Sequence, residues 1–600
     1  MGEKFISMRN LKFLAYEVFD VASLLQYPYY QQHNKKMFDM VLDAGMKLAS
    51  KLLWPAFEEM DRNPPELIAG QVKVHPLVGE MMKQFGEGGW IASTFPEKFD
   101  GEQLPSLIAN CCHMMFSAAN YSAHAYPGLT AGAARLIANF GDTVLIDTYL
   151  EKMLQGNWQG TMALTEPQAG SSLSDITTTA EATPQGHYLI KGQKIFISAG
   201  DYDGIENVVH LMLAKIPGGP PGVKGISLFV VPKLRPDAQG ALIPNDIVVT
   251  QIYHKMGYRG TPITELSIGE KNDCRGYLVG EPHKGLAYMF QMMNEERMGV
   301  GLAAASIASA AYQAALSYAQ DRPQGRRLSS KDPLTPQIPI IGHADVKRML
   351  LFQKSVVEGS FALLLQCSRY EDMTNVTTGD ELKKYELLLD LLTPVAKTYA
   401  SEMGILSTSQ SIQCFGGYGY CEDFPVEQHF RDMRIHTIHE GTTGIQGMDL
   451  LGRKVVMKEG KAFMLFLKEI QRSMDVAEQA GFAPFVKQLE HGLKTLQGVT
   501  MHLIAVAQEK GPEFFLADAT LYLELFSIVT IAWQWLLQAT TAQLALQKNP
   551  SDAETNFYQG KLFTCRYFYG YELVKISGLA ERLMNPDAMT VEIKTEYFAD

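Results

Sequence analysis

The hydrophobic period changes twice along this 600-residue chain, and the change limits what it can fold into. Between Trp158 and about Arg275 lie the runs HYLIKGQKIFIS, NVVHLMLAKI, GISLFVVPK and DIVVTQIYHKMG. They are short, rich in β-branched and aromatic residues, and separated by Gly, Pro and Asp, which reads as a small antiparallel β domain. On either side apolar residues recur every three or four positions, as in MFDMVLDAGMKLASKLLWPAF before and ADVKRMLLFQKSVVEGSFALLLQ after, the spacing of packed helices.

A chain of this length exceeds one ordinary core, so a multi-domain α+β protein is expected. Residues 1–36, rich in aromatics and amides (Tyr27, Tyr29, Tyr30, Gln31, Gln32), read as an extended arm packed on the rest. Residues 37–157 form a helical N-terminal domain, with turns at Pro64-Pro65 and around Pro96-Glu97. Residues 158–276 are the central β domain, 277–455 a helical bundle broken by a Pro-rich loop from Ser329 to Ile341, and 456–600 an additional helical domain of three or four helices ending near Met584.

Charge and cysteine usage exclude some roles. With 65 acidic against 53 basic residues the net charge is −12, which disfavours a general attraction to nucleic acid or anionic membranes. The seven cysteines form no CxxC pair, so no disulfide framework or zinc site is expected, and a reducing, cytoplasmic setting fits. The N-terminal stretch lacks the apolar core and cleavage site of a signal peptide. The most apolar run, Leu525 to Leu537, is short of the roughly 20 residues of a membrane span and reads as a buried helix.

Three short stretches carry chemistry. Glu440 precedes Gly441-Thr442-Thr443-Gly444, small and hydroxyl residues that let backbone amides approach a ligand. MALTEPQAGSS, Met162 to Ser172, sits at the hand-over from helices to strands and offers amides and short donors, including Thr165 and Ser171, to a planar or anionic group; taken alone it also fits a turn with helix caps. In KIFIS, Phe196 and Ser198 share one strand face, a wall and a donor for a flat heterocycle or simply core. Two other patterns carry nothing. Gly299 to Ala304 fits GxGxxA but follows a helical run instead of a strand, and GGYGY at Gly416 to Tyr420 lacks the Lys-Ser/Thr ending of a phosphate loop.

The segments MALTEPQAGSSLSDI, GQKIFIS, GISLFVVPK, KMGYRGT, VGEPHKGL, QSIQCFGGYGYCEDFPVEQHFRDMRI and IHEGTTGIQ occur in the order found in the acyl-CoA dehydrogenase family, which the chain resembles over about residues 37 to 455. The arm and the added C-terminal helices look like the subgroup of 3-methylmercaptopropionyl-CoA dehydrogenases. The resemblance implies a helical domain, a β-barrel and a helical domain that bind FAD and an acyl-CoA. By it, Met162, Leu164, Thr165, Gly170, Ser171, Phe196 and Ser198 face the flavin, with Ser171 also near the thioester. Arg322, Gln324, Gln413 and Gly417 match positions that reach the FAD of a neighbouring subunit, and Thr442 and Gly444 touch FAD after the catalytic acid. Asn294 and Arg297 match a CoA-contacting helix. Phe196 and His439 stand where tryptophan and tyrosine are common in the family.

Desaturating a thioester needs a base for the α proton and an acceptor for the β hydride, and since no side chain accepts hydride, a flavin is required. A carboxylate serves as base once burial raises its pKa toward working pH. The intact IHEGTTGIQ motif favours Glu440; Glu296, on the helix where some relatives place the base, is the runner-up, with an alternative use as an ion-pair or solvated partner of Arg297. The expected activity is trans-2-enoyl-CoA formation with electrons passing to electron-transfer flavoprotein. An acyl-CoA oxidase using dioxygen, or a flavin-containing DNA-binding relative, are the alternatives. The added helices suggest a homodimer, with neither a metal, nucleic acid nor a membrane span as partner.

Overall fold

The computed structural model describes residues 5–237, 239–330, 332–585 and 587–599, with the backbone alone at 291–293. The first four residues of the expected arm and Lys331 of the expected Pro-rich loop therefore lie outside the described residues. The chain folds into two compact units that cut across the sequence segments: one comprises Lys36–Pro105 and Met115–Glu296, the other Met1–Lys35, Ser106–Met114 and Arg297–Asp600.

In the first unit the helical pattern of 37–157 is realised, with one difference. Pro64-Pro65 ends a helix as expected and is followed by a short hairpin, Glu66–Ile68 against Gln71–Lys73, which the helical reading lacked. Ala69 and Gly70 at its tip both have positive φ, the geometry that suits a tight two-residue turn. The 35-residue helix α1 (Ser106–Phe140) is broken at Asn120 (φ −166, ψ 95), whose side-chain oxygen accepts from the Ala123 amide at 3.1 Å and so recaps the second half.

The main sheet of the β domain has eight strands: β1 (Trp158–Ala163), β2 (Thr179–Ala182), β3 (Tyr188–Ser198), β4 (Asn207–Lys215), β5 (Ile226–Pro232), β6 (Ile247–Ile252), β7 (Ile263–Ile268) and β8 (Arg275–Leu278), beside a short hairpin of Leu234–Pro236 and Leu242–Pro244. Their order is β6-β7-β3-β8-β5-β4-β1, with β2 pairing β3 and β4. The expectation of a wholly antiparallel domain needs correction, because β1 and β2 each run parallel to β4. The period-2 pattern of a run carries no direction, so this pairing was invisible in the sequence. Ala163, Ile190, Ile197, Met212, Phe229 and Leu266 form its core.

The second unit is helical: α2 (Gly285–Asp321, entering from the first unit), α3 (Ala344–Thr374), α4 (Gly379–Phe415), α5 (Pro425–Met433) and α6 (Thr443–Asp449), then α7 (Met457–Gln479), α8 (Ala483–Lys510), α9 (Ala519–Leu546) and α10 (Asp552–Tyr567). Shorter helices, including Ile576–Leu583 and Met589–Glu592, follow. Helices α2 and α9 are long and apolar enough to cross a membrane by length and composition, and 78% of the apolar window of each is buried. The N-terminal arm is not extended: it winds through an α-helical turn at Met8–Lys12, a π turn at Phe13–Val18 and 3₁₀ turns at Val21–Gln26 and Pro28–Tyr30. Ser7 caps the first by accepting from the Asn10 amide at 3.2 Å, and of the aromatics that suggested an extended strip Tyr30 is buried while Tyr27 and Tyr29 are half-buried.

Candidate active site

The stretch IHEGTTG lies between α5 and α6 in the second unit. Glu440 adopts the left-handed conformation (φ +53) and Gly441 continues it (φ +91). A glutamate holds that conformation only against a steric cost, so neighbouring groups must fix it. The turn's carbonyls are held from two sides: Gln446 Nε2 donates to the Glu440 oxygen at 3.0 Å, and Lys397 Nζ, from α4, donates to the Gly441 oxygen at 2.9 Å. Thr442 starts α6 as its N-cap, its hydroxyl accepting from the Ile445 amide at 3.4 Å. Thr443 donates its hydroxyl to Glu402.

The electrostatics follow from burial. Desolvation raises the Glu440 carboxyl above its ordinary value, opposed by the positive charges of Arg297 and Lys397, and among the described residues no group hydrogen-bonds the carboxylate. Lys397 is fully buried, and desolvation brings its ammonium down to about 8 despite the nearby Glu402 and Glu440. Arg297 is 3% exposed and donates to Asp449 at 2.8 Å, with its Nε lacking a hydrogen-bond partner among the described residues. The guanidinium expected to meet CoA is paired with Asp449, and its charge acts on Glu440. His439 packs edge-on against His436 (centroids 5.1 Å apart), and burial drives its imidazole well below the usual histidine range.

The other expected residues of this unit gather at a second place. Gln413 lies at the end of α4, where its carbonyl accepts from the Gly416 amide, and Gly416 turns the chain with φ +62. The Arg322 guanidinium sits 5.8 Å from the centre of the Tyr418 ring, beside Gly417. Gln324 is fixed by its backbone, its amide donating to Ile338 at 3.0 Å and its carbonyl accepting from His343 Nε2 at 2.7 Å.

In the first unit, Met162 lies in the last part of β1, which ends at Ala163, and Leu164 and Thr165 leave it directly over β3: the Ile195 amide donates to the Thr165 carbonyl at 3.0 Å and Lys194 Nζ to the Leu164 carbonyl at 3.0 Å. Phe196 departs from regular strand geometry. The register with β7 shifts between Thr264 and Leu266, and Phe196 takes φ +57 at that bulge. A bulge re-aims a side chain, and the residue is accordingly 56% exposed, with Tyr253 its one ring contact among the described residues (4.7 Å). Ser198 hydrogen-bonds Tyr258, whose hydroxyl is pushed up to about 12 chiefly by burial. Nothing lies within 4 Å of a Cβ built at Gly170. Ser171 is exposed beside it, in a loop that closes with Ser172 donating to Asp175 at 2.5 Å. An outward aromatic and an open glycine-serine loop offer a flat surface and short donors of the kind a flavin takes, so these residues are compatible with that cofactor. Asn294 and Glu296 are half-buried on α2, and the charge of Glu296 acts on Tyr258.

Three polar residues escaped the sequence reading. Glu166 and Lys194 form a buried ion pair under the loop (2.8 Å), and Lys397 supports the Glu440 turn. The one available signal was a lysine at a position where the period demands an apolar residue.

Comparison with known proteins agrees with this layout. Models for the acyl-CoA dehydrogenase N-terminal domain match residues 39–157, the middle domain 161–270, the C-terminal domain 283–338 and 340–455, and an acetyl-CoA dehydrogenase C-terminal-like domain 466–594. A butyryl-CoA dehydrogenase of Syntrophomonas wolfei is 33% identical over 98% of each chain. The chain belongs to the acyl-CoA dehydrogenase family. A 3-methylmercaptopropionyl-CoA dehydrogenase of Ruegeria pomeroyi is 36% identical over 83% of this chain and 84% of its own. An acyl-CoA dehydrogenase of Bacillus anthracis solved with FAD shares the fold with a TM-score of 0.72 at 20% identity, over 97% of this chain and 93% of that one. This acyl-CoA dehydrogenase is therefore an oxidoreductase with the family's helical, β and helical domains and the extra C-terminal domain.

Proposed function

We propose that this acyl-CoA dehydrogenase removes the α proton of an acyl-CoA with Glu440 and yields the trans-2-enoyl-CoA. The observation that carries the reading is a carboxylate with raised proton affinity, free of hydrogen-bond donors among the described residues, on a turn held from below by Lys397 and Gln446. Such a carboxyl is ionisable near working pH yet basic enough to accept a carbon-bound proton. FAD, when bound, supplies the hydride acceptor. Met162, Leu164, Thr165, Gly170, Ser171, Phe196 and Ser198 would line the FAD, Thr442 and Gly444 would approach it from the catalytic turn, and Arg322, Gln324, Gln413 and Gly417 would reach the FAD of a second subunit. Ser171, Asn294 and Arg297 would position the thioester and CoA, and the β domain would close as the family's barrel.

The test is paired. Glu440→Gln should keep bound flavin and lose turnover, whereas Glu296→Gln should keep both; the reverse result would move the base to Glu296. Electron-transfer flavoprotein is the expected acceptor and a homodimer in the cytoplasm the expected state, with α2 and α9 serving as core helices. Peroxide formation with substrate alone, or a stable tetramer in light scattering, would count against the acceptor and the dimer respectively.

A further inference from the structure

Resting on the reading of Glu440 as the base, we propose that Lys397 is a positioning residue for the reaction: its ammonium, donating to the Gly441 carbonyl, holds the Glu440-Gly441 turn in the left-handed shape that presents the carboxylate. Two consecutive residues with positive φ do not stay so without support, and a glutamate is the less tolerant of the two. Gln446 reaches the same carbonyls from α6, at 3.0 Å to Glu440 and 3.3 Å to Gly441, but it belongs to the segment it steadies. Lys397 comes from α4, a separate and well-packed helix, and so ties the turn to the body of the unit.

The choice of lysine needs explanation, because a fully buried ammonium is costly where a neutral donor would satisfy one carbonyl. Its surroundings supply the reason. Glu402, on the next turn of α4, and Glu440 act on it with opposite charge, and Arg297 with like charge; the neutral His436 and His439 pack beside the turn. Lys397 therefore feels both a carboxylate engaged by Thr443 and the carboxylate of the base, and its charge offsets that of the ionised Glu440 while its hydrogen bond goes to the Gly441 carbonyl.

The experiment compares Lys397→Met, Lys397→Gln and Glu440→Gln with the parent holoenzyme, using butyryl-CoA and octanoyl-CoA with an artificial electron acceptor. It records flavin content, melting temperature, KM, and kcat against pH. Lys397→Met is expected to retain flavin and KM, to lose about 10- to 100-fold in kcat as the base is misplaced, and to move the acidic limb of kcat upward by about one pH unit. Lys397→Gln restores a neutral donor, so it should recover part of the kcat loss while keeping the displaced limb; it also carries the test if the Met variant does not fold. A parental kcat and acidic limb in Lys397→Met, or a change confined to melting temperature or KM, overturns the proposal while an inactive Glu440→Gln leaves the base reading standing. An active Glu440→Gln overturns both.

Discussion

Lys194 Nζ lies 2.8 Å from Glu166 Oε1, and neither side chain has more than 1% of its surface exposed. Glu166 also accepts from the Thr177 amide (2.6 Å) and hydroxyl (2.9 Å) and from the Thr178 hydroxyl (2.6 Å) and amide (3.1 Å), so one carboxylate closes the whole loop that carries Gly170 and Ser171. Burial alone would raise its pKa; Lys194 and these donors outweigh burial and bring it down to about 2.

Glu166→Ala is therefore expected to destabilise the protein by about 3–5 kcal/mol, because it strands a buried ammonium. Denaturant unfolding measures it, and adding Lys194→Met should recover part of the loss. Since the folded pKa lies below the ordinary 4.5 of the unfolded chain, the contribution is complete above 4.5 and disappears as pH falls toward 2. The parent should lose stability relative to Glu166→Gln over that window; a difference independent of pH would contradict the pairing.

The position of Arg297 makes a second prediction. Its charge lowers the proton affinity of Glu440 against the raising effect of burial. Arg297→Leu should shift the acidic limb of kcat to higher pH, by about one unit. Asp449 keeps Arg453, at 2.6 Å, as a partner, so the variant does not leave a bare carboxylate behind. An unmoved limb in the pH–rate profile would show that Arg297 acts on CoA alone.

How much of this was legible depends on the kind of information each feature needs. Helix and strand segments follow from period, and the Glu440 loop follows from residue types that permit a tight ligand approach. The outward turn of Phe196 does not: alternation would place it beside Ser198 on one face, but a one-residue register shift against β7 decides its direction, and register is a property of two strands. The same holds for Lys194 and Lys397, whose partners lie 28 and 44 residues away. The arm misled for a different reason: its aromatics lack a clean 3.6 period because its turns are π and 3₁₀.

His439 tests whether a residue beside the base must tune it. Burial, with His436 and Lys397 adding to it, holds the imidazole neutral well below its ordinary 6.5, and its Nε2 has no hydrogen-bond partner among the described residues. His439→Gln should leave both limbs of the pH–rate profile in place, whatever it does to kcat through packing. A displaced limb would assign His439 an electrostatic part in proton abstraction.

The last prediction concerns the C-terminal helices. Lys561 of α10 is fully buried and donates to Glu358 of α3 (2.8 Å), to Gln538 of α9 (2.9 Å) and to Asn10 of the arm, so one ammonium joins the added domain, the helical bundle and the N-terminal turns. Burial lowers its pKa to about 8; Glu358 opposes this and Lys354 reinforces it. Lys561→Ala should cost about 3 kcal/mol, since it unsatisfies three acceptors at once. The sign with pH runs opposite to that of Glu166. A lysine whose folded pKa lies below its unfolded 10.5 binds fewer protons when folded, so between about 8 and 10.5 the parent gains stability as pH rises. In urea unfolding the gap between parent and Lys561→Ala should therefore widen from pH 8 to pH 10; a gap that narrows would mean that the Glu358 pairing, and not burial, sets the charge state of Lys561.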